Sequence, residues 1–93
     1  MSVAAVIRQK LTATFAPAEL VVLDESAKHA GHAGARPGGE THFDVRIVSA
    51  SFEGVSRVER QRRVYAVLAE ELKSRVHALS LTTLTPAEVW QEH

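Results

Sequence analysis

The sequence predicts an α+β fold: a two-layer sandwich in helix, strand, strand, helix, strand, helix order, with a three-stranded mixed sheet. Three observations carry it. Phe43, Val45 and Ile47 alternate with His42, Asp44 and Arg46, a period of two that gives a half-buried strand. After a turn at Phe52 to Ser56, Val58, Tyr65, Leu68, Leu72 and Val76 recur at roughly helical spacing and predict one long helix ending near Val76. From Ala78 to Thr83 the period of two returns, with Leu79 and Leu81 on one face. A strand, a crossover helix and a second strand in one sheet form a right-handed unit with parallel strands.

The remaining elements follow in chain order. Ser2 can cap a first helix in which Val3, Ile7, Leu11 and Phe15 recur every four residues, and Pro17 ends it. Leu20 to Leu23 is a short apolar run that reads as a strand, antiparallel to the next one as consecutive strands usually are. Asp24 to Gly39 holds four glycines, a proline and two histidines and reads as a long loop. Thr85, Pro86 and Glu88 supply a cap, a first-position proline and the glutamate three residues on. The short last helix they start is expected to carry Val89 and Trp90 back toward the body. No internal repeat is visible, so residues 1–93 read as a single domain with a Gly/His loop at about 24–39.

Composition narrows the function classes. Ninety-three residues bury about 60–65% of the unfolded surface, which leaves little room for a deep cleft. Eleven basic and eleven acidic side chains cancel, so any electrostatic argument is local. The absence of cysteine removes disulfides and thiolate ligands from this chain. No apolar run reaches the roughly 18–20 residues of a membrane span, and the first eleven residues lack a signal peptide's apolar stretch, so a soluble, cytoplasmic protein is expected.

Catalysis by this chain alone is rejected. Asp24, Ser26 and His29 fall within six residues of one loop, without the rigid frame a triad needs. Gly31, Gly34, Gly38 and Gly39 follow neither phosphate-loop nor dinucleotide-loop spacing.

Five histidines are many for so short a chain. His29 and His32 form an H-x-x-H pair in the loop, where imidazole can reach a transition metal or an iron–sulfur cluster or can simply be solvated. His77 follows the long helix, and an imidazolium near a helix carbonyl end is favoured without any metal. His42 reads as a structural histidine on the polar sheet face, and His93 as a terminal residue. Arg57, Arg60, Arg62 and Arg63 crowd the start of the long helix behind Gly54 and Ser56. They read equally as a phosphate-binding edge, extended by Arg46 on the strand, and as a solvated face with a Glu59–Arg63 pair.

Taken in order, Asp24-Glu25-Ser26 with His29, Gly39-Glu40-Thr41-His42-Phe43, Val48-Ser49 with Phe52-Glu53-Gly54, Ser56 to Arg60, Val76 to Leu79, and Thr85 to Glu88 resemble the BolA-like family over nearly the whole chain. Gln61 departs from the histidine common there. The resemblance implies a KH-like arrangement of the fold above. It implies that His29 and His77, with His32 a weaker candidate, are ligands of a [2Fe–2S] cluster shared with a monothiol glutaredoxin and its bound glutathione, with no cofactor in the free chain. The role implied is an adaptor or regulator in iron homeostasis. The alternative is a DNA-binding transcriptional regulator acting through the helix-turn-helix-like segment Gly54 to Arg63. The sequence leaves homodimerisation open.

Overall fold

The computed structural model describes residues 2–25 and 41–91. The elements are α1 (Val3–Phe15), β1 (Glu19–Asp24), β2 (His42–Val48), a 3-10 turn at Ala50–Phe52, α2 (Arg57–Val67), α3 (Ala69–Ser74), β3 (Ala78–Leu84) and α4 (Pro86–Gln91). The sheet order is β1-β2-β3, with β1 antiparallel to β2 and β2 parallel to β3, as the α+β reading requires.

The first helix starts where the Ser2 hydroxyl accepts from the Ala5 N–H at 3.0 Å, and its four-residue repeat buries Val3, Ile7, Leu11 and Phe15. Its end is unusual. Ala16 takes left-handed angles, φ 44° and ψ 56°, and donates its N–H to the Thr12 carbonyl. That closes the helix before Pro17, but a β-carbon in this region costs about 1–2 kcal/mol. Buried Ser49 compensates by donating to the Phe15 carbonyl at 2.6 Å and accepting from the Ser51 N–H at 3.0 Å. The helix end is thereby fixed to the end of β2.

Phe43, Val45 and Ile47 point inward, and with Val22, the α1 stripe, Phe52, Val64, Leu68 and Val76 they form the core. Leu79 and Leu81 pack against it. Gly54 follows Phe52 with φ 75°, a turn conformation that disfavours any β-carbon.

Three expectations are corrected. The long helix is two helices, because the chain at Leu68 departs from helical angles (φ −100°, ψ 17°) and restarts at Ala69. Leu68 is itself buried, and Leu72 of the second segment packs against the core. The inward stripe also differs: Arg60, Val64 and Leu68 are buried, whereas Val58 and Tyr65 are exposed. The polar Arg60 supplies the first step of that stripe, which a purely apolar count misses. Trp90 does not return to the body, being 81% exposed.

Lys10 reaches both carboxylate oxygens of Glu71 at 2.9 and 3.0 Å, joining α1 to α3. At the C-terminal end the sequence cap forms as written. The Thr85 hydroxyl accepts from the Glu88 N–H at 3.2 Å and the Glu88 carboxylate accepts from the Thr85 N–H at 2.8 Å, a reciprocal capping box.

Candidate functional site

The parallel register pairs His42 with Ala78, so His77 stands beside the start of β2. The buried Thr41 carbonyl accepts from the His77 N–H at 2.7 Å and from the Ala78 N–H at 3.2 Å, which locks the two strand starts together. The result is a pair of stacked imidazoles, His42 and His77, with ring centroids 6.3 Å apart and planes inclined by 26°. Thr41 Oγ1 lies 2.8 Å from His42 Nδ1 and holds that ring. His77 is exposed and His42 is half-buried. His42 also borders an open pocket of about 360 Å³ together with Glu25, Asp44 and Ser80.

His29 and His32 lie outside the described residues, as does His93. His42, read from the sequence as a structural side chain, does make a local hydrogen bond, but its neighbourhood with His77 was not foreseen. A signal existed: His42 opens β2 and His77 immediately precedes β3, and parallel strands place both at the same end of the sheet. Among the described residues, no group of three or more His, Cys, Asp and Glu side chains converges for a metal ion.

The four arginines divide. Ser56 caps α2, its hydroxyl accepting from the Glu59 N–H at 3.2 Å. Arg62 and Arg63 are exposed and stand 3.7 Å from Glu59 at i, i+3 and i, i+4. Exposed Arg57 lies 3.8 Å from Glu88. Arg60 turns inward instead and is 5% exposed. Its Nε donates to the Val55 carbonyl at 2.8 Å, and Nη1 donates to the Thr83 carbonyl at 3.1 Å and to Glu88 Oε1 at 2.6 Å. Nη2 donates to Glu88 Oε2 at 3.2 Å, and the guanidinium lies over the Phe52 ring. With its donors committed within the chain, Arg60 is corrected from a phosphate contact to a structural clamp. Arg46 is likewise engaged, its Nε 2.7 Å from Glu19 across the strands.

The clamp has an electrostatic signature. The donated hydrogen bonds from Arg60, then the backbone bond from Thr85 and the nearby positive charge, hold the Glu88 carboxyl well below the usual range, at about 2.

Residues 11–88 match the family described as BolA-like protein. The chain is 53% identical over 87 residues to SufE-like protein 1, chloroplastic/mitochondrial, of Arabidopsis thaliana, covering 89% of this chain and 24% of that protein. It is 40% identical over 88 residues to the DNA-binding transcriptional regulator BolA of Haemophilus influenzae, covering 95% and 82% of the two chains. The solved structure of BolA1 from Arabidopsis thaliana superposes with a TM-score of 0.85 at 48% identity, covering 95% of this chain and 96% of that one. This chain spans 24–63% of the length of three plant and human curated relatives that are 47–53% identical to it. Fold, family model and relatives agree, and the chain belongs to the BolA-like family.

Proposed function

We propose that this chain is an adaptor in iron homeostasis that docks a monothiol glutaredoxin and contributes imidazole to a shared [2Fe–2S] cluster. The observation that supports it is His77, an exposed imidazole whose backbone is fixed at the sheet end by its bond to Thr41. A two-iron cluster takes four protein ligands, and imidazole in place of thiolate on one iron raises its potential. A chain without cysteine fits half of such a site. His77, with His29 from outside the described residues, would hold the cluster on this side, and the glutaredoxin cysteine with its glutathione would hold it on the other. In this reading the chain acts as an adaptor, not an enzyme, and its setting is the cytoplasm. Among the described residues no helix is long and apolar enough to cross a membrane.

The test is anaerobic reconstitution with a monothiol glutaredoxin, glutathione, iron and sulfide, followed by visible absorption and circular dichroism. A mixed-complex spectrum altered by His77→Ala or His29→Ala is expected. A spectrum identical to that of the glutaredoxin alone overturns the reading.

The second reading is DNA binding through the N-terminal part of α2. It is favoured by exposed Arg57, Arg62 and Arg63 on a Ser56-capped helix and by similarity to the Haemophilus DNA-binding transcriptional regulator. Helix N-terminal N–H groups and guanidinium groups both suit phosphate. Such binding is mainly electrostatic, so it weakens steeply with salt.

A further inference from the structure

We propose that His42 and His77 form a two-imidazole site for a divalent transition-metal ion, bound by this chain without any partner. The inference goes beyond the cluster reading, since it needs no glutaredoxin, glutathione or sulfide and assigns a role to His42.

The backbone preorganises the pair. Two N–H groups at the start of β3, from His77 and Ala78, converge on one acceptor at the start of β2, the carbonyl of buried Thr41, and the parallel register sets His77 beside His42. A metal–imidazole nitrogen distance of about 2.0–2.1 Å puts the centres of two rings on one tetrahedral ion roughly 5 Å apart. The observed centroid separation is 6.3 Å, so metal binding requires the exposed His77 ring to turn toward His42. The contact of Thr41 Oγ1 with His42 Nδ1 is of the kind that orients a ligating imidazole.

The surroundings suit a cation. Glu25 and Asp44 line the pocket that His42 borders, and carboxylates there raise the local concentration of positive ions. Nitrogen donors without thiolate favour borderline divalent ions, and among these Cu(II) binds most tightly for a given site. Water completes the coordination, which makes this an exchangeable site.

The experiment titrates the tag-free, metal-free chain with Cu(II) and reads stoichiometry and affinity by calorimetry and nitrogen hyperfine coupling by electron paramagnetic resonance. One ion per chain with coupling to two imidazole nitrogens is expected. His77→Gln and His42→Gln should each weaken binding by more than about tenfold, while His93→Ala stays within about twofold of the parent. His77 is exposed, so its variant tests the site without threatening the fold, and amide spectra of the His42→Gln chain check its integrity. The proposal is overturned if no ion binds, if either Gln variant retains the parent affinity, or if His93→Ala abolishes binding. Because no glutaredoxin is present, these outcomes stand apart from success or failure of the cluster reconstitution.

Discussion

Glu88 grips Arg60 with both carboxylate oxygens, at 2.6 and 3.2 Å, and so fastens α4 to α2 at the edge of the core. The same carboxylate caps its own helix by accepting from the Thr85 N–H. One glutamate thus closes a local motif and a tertiary contact, and Arg60 spends its donors there rather than on solvent.

Arg60→Ala removes the guanidinium that satisfies the Val55 and Thr83 carbonyls. It should lower stability by about 2–4 kcal/mol. Chemical denaturation of the purified variant measures it. A loss no larger than that of the exposed substitution Arg62→Ala would contradict the clamp.

Acid should release the same contact. The Glu88 carboxyl is depressed from 4.5 to about 2 in the folded chain. A depressed carboxylate contributes stability that is fully present above its unfolded value and is lost as pH falls through its folded value. Stability should therefore fall between roughly pH 5 and pH 2. Glu88→Gln should be less stable at neutral pH and show a shallower acid dependence, as measured by denaturation midpoints across that range.

The Gly54–Arg63 segment gives a graded prediction. Arg62→Ala and Arg63→Ala should each reduce the slope of log affinity against log salt by about 1 for a DNA duplex, as expected for one lost phosphate contact. Arg60→Ala should leave that slope unchanged in any fraction that remains folded, because its guanidinium faces inward. Fluorescence anisotropy across a salt series separates these cases.

Ala16→Gly should stabilise the chain. The left-handed angles at Ala16 carry a β-carbon penalty that glycine lacks, so a gain of about 0.5–1 kcal/mol is expected, observed as a rise in Tm of roughly 2–8 °C. An unchanged or lower Tm would show that the cap is not strained.

Ser49→Ala tests the opposite kind of site. It deletes the buried donor to the Phe15 carbonyl and the acceptor for the Ser51 N–H. A cost of about 1–2 kcal/mol is expected. Calorimetric unfolding beside the parent provides the comparison.

What the sequence by itself determined is local. The alternation of Phe43, Val45 and Ile47 fixed which face of β2 is buried, the four-residue stripe from Val3 to Phe15 fixed α1, and Ser2 and Thr85 marked helix starts that the structure confirms. Each depends on neighbours within one turn or one pleat, so its signal lies in spacing that can be read along the chain. Tertiary structure decided the rest. The break at Leu68 and the inward turn of Arg60 depend on which polar partners and apolar walls meet α2, and Glu88 lies too far along the chain for any periodicity to assign it. His42 and His77 became neighbours only through the β2–β3 register and the shared Thr41 carbonyl. Local spacing sets what a residue can face, but pairing between distant segments sets what it finally meets.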